Sequence, residues 1–350
     1  MARIAVIPGD GIGKEVVREG LKVLEYFNGR DGLNLSFEEF DYSAERYLRT
    51  GDLIPDEDLS KLETFDAIYL GAVGDPAVKA GILERGILLK LRFYFDQYIN
   101  LRPVKLYNER FTPLKNKGVE DINFVVVREN TEGAYAGIGG ILKKDTPDEV
   151  AIQEMVYTRK GVDRILKYAF EYARKTGGKL SLCDKSNVLT YGHDLWQRAF
   201  QEMKKDYPDV ETNHYYIDAI TMKMVREPEI FDVIVTCNMF GDIITDLGAE
   251  IQGGMGLAAS GNINPETVSM FEPVHGSAPD IAGQNIANPM AAIMSAGMIL
   301  EYLGYSEFSN KVDQAVEQAI NENLLTRDMG GELSTAEAGD ALVDILKKLI

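Results

Sequence analysis

The feature that most constrains the fold of this chain is the alternation of short apolar runs with longer amphipathic stretches. Within the amphipathic stretches, for example 15–27 and 162–173, apolar residues recur with helical periodicity. Strands that alternate with helices in this way predict an α/β fold in which most of the sheet is parallel. The runs assigned to strands are RIAVIPG, FDAIYLGAV, INFVVVREN, GKLSLCDK and FDVIVTCNMFGD.

The length of the chain, 350 residues, corresponds to about two domains. No repeat or low-complexity linker marks a boundary, so a second domain can be inserted into the first. The longest apolar run, near 290–300, is shorter than the roughly 20 residues that span a bilayer. The amino terminus has no signal-peptide pattern, and we therefore expect a cytoplasmic protein without a membrane partner.

The net charge of −18 argues against nucleic acids and anionic membranes as partners. It leaves room for an anionic small molecule, because a local group of arginines can override the overall sign. The two cysteines, Cys183 and Cys237, lie in strand-like segments and are interpreted as small buried hydrophobic residues.

Two aspartates in CNMFGDIITDLGAE, Asp242 and Asp246, are four residues apart and share one helix face. Alone, they fit the solvated amino-terminal part of a helix, where acidic groups suit the helix dipole. A third aspartate, Asp218, follows a strand-like run in HYYIDAITM. Three carboxylates that converge from separate segments repel one another unless a cation lies between them, and such ligands suit Mg²⁺ or Mn²⁺.

Three arginines are candidates for binding an anion. Arg92 lies on a helical stretch, Arg102 lies in NLRPV, and Arg128 ends FVVVREN. Each alone is compatible with a structural role, but the last two close apolar segments, where α/β sheets bind ligands. Because arginine binds carboxylates through two parallel hydrogen bonds, the three together favour a substrate with at least two carboxylates.

A possible acid–base pair consists of Tyr135, after RENTEGA, and Lys185, at the end of GKLSLCDK. A lysine at a strand end can act as a base, and a tyrosine can deliver a proton. Without further context, a lysine whose stem covers apolar surface and a core tyrosine are the favoured explanations of the two residues.

Three glycine- or proline-rich segments have the character of functional loops. In PGDGIG (8–13) the glycines follow the pattern G-x-G-x-G, which departs from the dinucleotide fingerprint G-x-G-x-x-G, so a tight turn and a nucleotide contact both stay open. The segment 251–265 is expected to be a glycine-rich loop. The segment 271–289 is expected to be irregular, and its polar side chains point to function.

Taken together, these segments resemble the β-decarboxylating dehydrogenases, the family of the isopropylmalate, isocitrate, homoisocitrate, tartrate and D-malate enzymes, most of all its isopropylmalate branch. The resemblance runs nearly from end to end. It is carried by IPGDGIGKEV, NLRPV, VVVRENTEGAY, DKSNVL, IDAITM, CNMFGDIITDLGAEIQGGMGLAASGNI and FEPVHGSAPDIAGQNIANPMAAIMSAGMIL.

The resemblance implies an isocitrate/isopropylmalate dehydrogenase-like fold, an α/β fold that differs from the standard Rossmann fold. Two α/β domains would flank a cleft. The first, 1–98 plus 253–350, would carry the cofactor-binding loops. The second, 99–252, would carry the dimer interface and the metal and substrate residues.

The resemblance also implies a homodimer that oxidatively decarboxylates a small 2-hydroxy dicarboxylate. Asp218, Asp242 and Asp246 would hold Mg²⁺ or Mn²⁺, and each active site would take Lys185 and Asp218 from the partner subunit. Lys185 would accept the hydroxyl proton, Tyr135 would protonate the enolate, and Arg92, Arg102 and Arg128 would hold carboxylates.

The same resemblance places a nicotinamide cofactor along HGSAPDIAG and its neighbouring loops. Asp280, followed by Ile281, matches the NAD-using pattern, because a carboxylate accepts a hydrogen bond from the ribose 2′-hydroxyl and repels a 2′-phosphate. The residues expected at the cofactor are Glu272, His275, Gly276, Ser277, Ala278, Asp280, Asn288 and Asn187.

The resemblance also implies that the variable part of the substrate meets the segment 83–92, LERGILLKLR, through Glu84, Ile87 and Leu88. Isocitrate-type members of the family have a serine in this segment that holds an extra carboxylate, and this chain has none. An apolar pocket accepts an isopropyl group and leaves a third carboxylate unpaired, which favours 3-isopropylmalate and a role in leucine biosynthesis. The strings RENTEG (128–133) and FDQYINLRP resemble other branches. Tartrate or D-malate, and isocitrate or homoisocitrate, therefore stay open as alternatives.

Overall fold

The computed structural model of the chain describes residues 1–349. Its strands are β1 (Ala2–Gly9), β2 (Leu35–Glu39), β3 (Ala67–Ala72), β4 (Ile99–Lys105), β5 (Asn123–Glu129), β6 (Gly139–Leu142), β7 (Val150–Gln153), β8 (Leu180–Asp184), β9 (Thr212–Tyr216), β10 (Val233–Thr236), β11 (Ala259–Ile263) and β12 (Ser269–Pro273). Its α-helices are α1 (Gly13–Phe27), α2 (Ala44–Thr50), α3 (Asp56–Leu62), α4 (Lys90–Tyr94), α5 (Arg159–Thr176), α6 (Gly192–Met203), α7 (Ile217–Arg226), α8 (Asn238–Gln252), α9 (Met290–Tyr302), α10 (Ser306–Asn321) and α11 (Thr335–Leu349).

The described chain divides into two compact units. The first unit consists of Met1–Gln97, Leu106–Val119 and the chain from Ala249 onward. The second unit consists of Tyr98–Lys105 and Glu120–Gly248.

The strands of the first unit follow the order β2, β1, β3, β12, β11. All neighbours are parallel except β11 and β12, which are antiparallel. Helix α9 packs on this sheet and contacts α1 and α10. Nine of its thirteen residues are buried, which fits a helix that is apolar almost all round.

The strands of the second unit follow the order β4, β5, β10, β8, β9. β4 and β5 are antiparallel, and the other pairs are parallel. Helix α5 packs on β5, β8 and β10. It begins where the Thr158 hydroxyl accepts a hydrogen bond from the Gly161 amide, and it ends at Gly177 in the left-handed conformation, so both ends are capped by residues suited to them.

The parallel strands of the second unit explain why its polar residues gather at one edge. Because β5, β8 and β10 run in the same direction, their carboxyl ends lie along the same edge of the sheet. Arg128 lies at the end of β5, Lys185 follows β8, and α8 begins at Asn238, shortly after β10.

Two loop predictions are wrong in part. Within 251–265, residues 259–263 form β11, a buried strand whose small and polar residues lack the usual β-propensity. Its antiparallel pairing with β12 supplies the missing stabilisation. Within 271–289, the first three residues belong to β12, and the remainder is irregular, as predicted.

No helix within residues 1–349 is both long enough and apolar enough to cross a bilayer. The α/β class predicted from the strand–helix alternation is confirmed.

Candidate active site

A buried guanidinium lies at the carboxyl end of β5. Arg128, 1% exposed, donates from Nη1 to Asp242 Oδ1 at 2.5 Å. Its Nε and Nη2 donate to Asn238 Oδ1 at 3.1 and 2.7 Å. Since a buried charge needs partners that compensate for lost hydration, these contacts fix the Arg128 side chain in one orientation.

Gly241 makes room for this arginine on α8. A Cβ atom at Gly241 would lie 2.4 Å from Arg128 Cγ and 2.7 Å from its Cβ. These atoms are close to the backbone of β5 and have little freedom to move. Only glycine at this position lets α8 approach β5 this closely.

A second buried arginine comes from β4. Arg102 lies opposite Val126 in the antiparallel pair, so it and Arg128 project from the same face of the sheet. Arg102 Nη1 donates to Thr245 Oγ1 at 2.6 Å. Its guanidinium lies 3.8 Å from Asp242 Oδ1 and 4.0 Å from Asp246 Oδ1. Arg102 was expected to close an apolar segment, and it lies in the middle of β4 instead.

The carboxylates of Asp242 and Asp246 face the two arginines from α8. Burial acts to raise the pKa of Asp242, but the charge of Arg128 and the hydrogen bond from Tyr135 outweigh it and lower the pKa. Burial, and then the charge of Asp242, raise the pKa of Asp246. The two carboxylates repel each other, and a cation bound between them would relieve this repulsion. Oxygen ligands of this kind fit a site for Mg²⁺ or Mn²⁺.

Tyr135 contacts the same carboxylate from the other side. Its hydroxyl donates to Asp242 Oδ2 at 2.7 Å, and the Arg128 guanidinium lies 5.3 Å from its ring centre. Burial, together with the hydrogen bond to Asp242, raises the pKa of Tyr135. The phenol is therefore protonated near neutral pH and is available as a proton donor.

Lys185 and Asp218 form a separate pair. Lys185 Nζ donates to Asp218 Oδ1 at 2.6 Å, and this hydrogen bond lowers the pKa of Asp218. Within residues 1–349 of one chain, no three His, Cys, Asp or Glu side chains form a group that could hold a metal ion. The shared site, which takes Asp218 from a partner subunit, stays a prediction. Asn187 is exposed in the turn that follows Lys185.

The backbone of Lys185 is held by a buried histidine. The Lys185 amide donates to His193 Nδ1 at 3.1 Å, and His193 Nε2 lies 3.2 Å from the Tyr157 hydroxyl. Burial lowers the pKa of His193 to about 4, so the ring is neutral and keeps Nδ1 as an acceptor. His193 is not among the site residues predicted from the sequence.

In the first unit, Arg92 pairs with Glu272. Arg92 Nη2 lies 3.0 Å from Glu272 Oε1, and both side chains are almost fully buried. Asn262, on β11, donates to the same oxygen at 2.8 Å. The expected carboxylate-binding residue and the expected cofactor-binding residue are thus direct partners.

The segment predicted to meet the variable part of the substrate contains a π-helical turn, Glu84–Leu89. Glu84 is exposed and accepts a hydrogen bond from the Gly81 amide at 2.9 Å. Ile87 is fully buried in the core of the first unit, and Leu88 is half-buried against that core. Of the two apolar residues, Leu88 therefore offers surface to a ligand. Single π-helical turns often accompany functional sites.

The predicted cofactor residues after β12 lie in an irregular segment of the first unit. Gly276 and Asp280 are exposed, whereas Ser277 is buried and Ala278 has a positive φ of 39°. Burial lowers the pKa of His275, and its buried Nε2 atom has no hydrogen-bond partner among the described residues. An orphaned donor or acceptor of this kind fits a site that a ligand completes.

Three residues that support the site were missed by sequence analysis. Asn238 orients Arg128, Thr245 orients Arg102, and Asp328 accepts a hydrogen bond from the predicted cofactor residue Asn288 at 3.0 Å. The position of Asn238 at a strand-to-helix junction was a usable signal. Nothing in the local sequence around Asp328 connects it with Asn288, forty residues earlier.

Comparison with known proteins identifies the family of this chain. A family described as isocitrate/isopropylmalate dehydrogenase matches residues 3–342. A 3-isopropylmalate dehydrogenase of Thermobifida fusca is 54% identical over 341 residues, covering 97% of this chain and 96% of the relative. A 3-isopropylmalate dehydrogenase of Corynebacterium glutamicum is 51% identical over 348 residues, covering 99% of both.

Solved structures show the same fold. An isocitrate dehydrogenase from Methylococcus capsulatus aligns with a TM-score of 0.90 at 36% identity, covering 99% of this chain and 100% of that one. A β-decarboxylating dehydrogenase from Thermococcus kodakarensis aligns with a TM-score of 0.83 at 36% identity, covering 100% and 97%. The chain belongs to the isocitrate/isopropylmalate dehydrogenase family, and the family-level prediction is confirmed.

Proposed function

We propose that this protein catalyses the NAD⁺-dependent, Mg²⁺- or Mn²⁺-dependent oxidative decarboxylation of 3-isopropylmalate to 4-methyl-2-oxopentanoate, a reaction of leucine biosynthesis. The observation that carries the proposal is the arrangement in which Asp242 accepts hydrogen bonds from both Arg128 and Tyr135. This arrangement brings together an anion-binding group (Arg128), an oxygen ligand for a metal ion (Asp242) and a proton donor (Tyr135). The names of the relatives that are about half identical support the choice of substrate.

The binding step is assigned to the arginines. Arg102 and Arg128, which project from one face of the sheet, would hold carboxylates of the substrate, with Arg92 as a third such residue. Leu88 would contact the isopropyl group, with Ile87 in the core against which Leu88 packs and Glu84 nearby in sequence. An apolar surface of this kind disfavours a substrate that carries a third carboxylate.

The proton transfers are assigned to Lys185 and Tyr135. Lys185 would accept the proton of the substrate hydroxyl. After carbon dioxide leaves, Tyr135 would deliver its proton to the substrate carbon, which suits a phenol whose pKa is raised. Mg²⁺ or Mn²⁺, when bound by Asp242, Asp246 and Asp218, supplies Lewis-acid polarisation of the substrate oxygens.

NAD⁺, when bound, supplies the hydride acceptor. We assign its binding to Glu272, His275, Gly276, Ser277, Ala278, Asp280, Asn288 and Asn187. Asp280, exposed in the irregular segment, would accept a hydrogen bond from the ribose 2′-hydroxyl and repel the 2′-phosphate of NADP⁺.

A homodimer is part of the proposal. All eight residues of the antiparallel pair β6–β7 are exposed, and they include Ile141, Leu142, Val150 and Ile152. A two-stranded ribbon is at best marginally stable in water, and apolar side chains exposed together are typical of an interaction surface. A second copy of the chain would cover these side chains.

Mixing two inactive variants tests whether active sites are shared between subunits. If each site takes Tyr135 from one chain and Lys185 from the other, hybrids of Tyr135→Phe and Lys185→Met contain one intact site. Random reassortment should then restore about a quarter of the wild-type activity. No recovery, with hybrid formation verified by differently tagged chains, would mean that each site is built from one chain.

The substrate is tested by following NADH absorbance with purified protein, Mg²⁺ and NAD⁺. 3-Isopropylmalate, D-malate, tartrate, isocitrate and homoisocitrate are compared in parallel. We expect the highest kcat/KM with 3-isopropylmalate. A higher value with D-malate or tartrate, or with a tricarboxylate, would replace the substrate while keeping the reaction type, and no turnover with any of them would refute the proposed function.

A further inference from the structure

The motif PGDGIG and the helix that follows it hold 277–285, part of the segment assigned to the cofactor. The motif contacts one end of this stretch. A Cβ atom at Gly11 would lie 2.0 Å from the carbonyl oxygen of Ser277. The adjacent Ile12 amide donates to that carbonyl at 2.8 Å. Gly11, at a φ of 54°, is therefore needed for a close approach of two backbones, which accounts for a glycine pattern that departs from the dinucleotide fingerprint.

The other end of the same stretch is held by a carboxylate. Glu15, in the first turn of α1, accepts a hydrogen bond from the Gly283 amide through Oε1. Its Oε2 accepts a hydrogen bond from the Asn285 amide at 3.0 Å. Gly283 and Asn285 both have positive φ, at 76° and 56°, so this backbone is bent sharply at the point that Glu15 contacts.

Apolar packing joins the two points of attachment. Ile12 and Val16 of the amino-terminal segment form a cluster with Ala287 and Ala292, and Ala278, Ile281 and Ala282 pack against it. The stretch 277–285 is thus fixed at both ends and along its apolar side. Asp280 lies between the attached ends and is exposed, and its carbonyl accepts a hydrogen bond from Gln284 Nε2 at 2.8 Å.

We propose that Glu15 is a positioning residue for nucleotide recognition: its carboxylate sets the conformation of 277–285 and thereby the place of the Asp280 carboxylate. The inference rests on the proposed function, because it assumes that this segment binds the nucleotide. Glu15 itself would not touch the nucleotide, and the motif 8–13 acts as a support for the nucleotide-binding segment.

The effect should appear in nucleotide choice as well as in affinity. If the segment relaxes, the Asp280 carboxylate loses both its hydrogen bond to a ribose 2′-hydroxyl and its fixed repulsion of a 2′-phosphate. Affinity for NADH should fall, and discrimination against NADPH should weaken. A residue that only stabilises the fold would lower the melting temperature and leave the ratio of the two affinities unchanged.

Two substitutions at Glu15 distinguish the effect of side-chain length from the effect of the carboxylate charge. Glu15→Gln keeps the shape but turns one acceptor into an amide that faces a backbone N–H. Glu15→Asp keeps the charge but is one methylene shorter, so its carboxylate cannot accept hydrogen bonds from both the Gly283 and the Asn285 amides. The matched control is Glu57→Gln, which removes the same charge from the first turn of α3, where Glu57 is exposed.

The experiment is fluorescence titration of the full-length protein and its variants with NADH and with NADPH. Both Glu15 variants should bind NADH about three- to tenfold more weakly, because only part of the free energy of a lost charge-assisted hydrogen bond appears in nucleotide affinity, and the ratio of NADPH to NADH Kd should be smaller. Glu57→Gln should match the wild type. Amide hydrogen exchange of the 278–290 peptide should be faster in both Glu15 variants, and this readout needs no nucleotide.

The outcomes separate this inference from the proposed function. If the wild type binds NADH and the Glu15 variants have the same Kd, the same nucleotide ratio and the same exchange, the positioning role is wrong and the proposed function stands. If the wild type binds neither nucleotide, the assigned cofactor is wrong and the inference falls with it.

Discussion

Replacing Gly241 by alanine should disable substrate binding without removing any side chain that has been assigned to the chemistry. The added Cβ would lie 2.4 Å from Arg128 Cγ and 2.7 Å from Arg128 Cβ, well inside van der Waals contact. Because these atoms are next to the backbone of β5, the arginine has to leave its position or the helix has to move away. Either shift breaks the 2.5 Å contact with Asp242 and the contacts with Asn238.

The magnitude follows from the burial of Arg128. Losing one partner of a buried, hydrogen-bonded charge pair costs about 2–5 kcal/mol. If that cost appears in substrate binding and in the transition state, kcat/KM should fall roughly 30- to 5,000-fold. Alanine is a better helix former than glycine by about 1 kcal/mol, so intrinsic helix propensity offsets part of the loss in stability.

Gly248→Ala is the matched control, because its Cβ would lie 2.7 Å from Val104 Cγ2 and it lies on the same helix. It creates a comparable steric conflict with an apolar side chain that has no assigned role. The assay is kcat/KM for 3-isopropylmalate per folded molecule, with folding checked by circular dichroism. If Gly241→Ala keeps activity within about twofold of the control, neither the fixed position of Arg128 nor its contacts with Asp242 and Asn238 are required for activity.

Three further predictions follow from the same residues. Tyr135→Phe should lower kcat by about 10²- to 10⁴-fold while the Kd for 3-isopropylmalate changes little, because the phenol supplies a proton and not a carboxylate contact; stopped-flow turnover and equilibrium titration measure the two quantities. Asp280→Lys should raise kcat/KM for NADP⁺ and lower it for NAD⁺, shifting the ratio by about tenfold or more, which parallel assays with both cofactors will show. The folded-state pKa of His193 is about 4 and an unfolded histidine has about 6.5, so the unfolded state binds more protons below pH 6.5 and stability falls as the pH drops towards 4. His193→Gln lacks this term, so the difference in unfolding free energy between the two proteins should change by up to about 3 kcal/mol between pH 7 and pH 4, measured by urea titration.

The sequence predicts those parts of the site that depend on local spacing. Asp242 and Asp246 lie one turn apart on α8, and Arg128 lies at the end of a strand, because helix and strand periodicity determine both placements. The segments DKSNVL and IDAITM were identified, but the direct contact between Lys185 and Asp218 depends on tertiary structure.

The parts that sequence analysis missed depend on partners far along the chain. β11 has a weak strand signal, yet it is a buried strand because β12 supplies its hydrogen bonds and Glu272 accepts from Asn262. The antiparallel pairing of β4 with β5, which puts Arg102 on the same face as Arg128, also leaves no mark in either strand alone. Such features reflect packing that overrides local propensity.

The charges of the second unit indicate why metal and substrate should bind together. Arg102 and Arg128 face Asp242 and Asp246, so the cluster is close to neutral when all four groups are ionised. A dicarboxylate that entered alone would add two negative charges beside two carboxylates, and a divalent cation that entered alone would add two positive charges beside two guanidinium groups. Bound together, the two ligands leave the cluster close to neutral in a partly buried site, where uncompensated charge is most costly.

Because coupling between two binding sites is reciprocal, the factor by which the metal tightens substrate binding must equal the factor by which the substrate tightens metal binding. A protein with a net charge of −18 can therefore bind an anionic substrate through local neutralisation, without a positive surface.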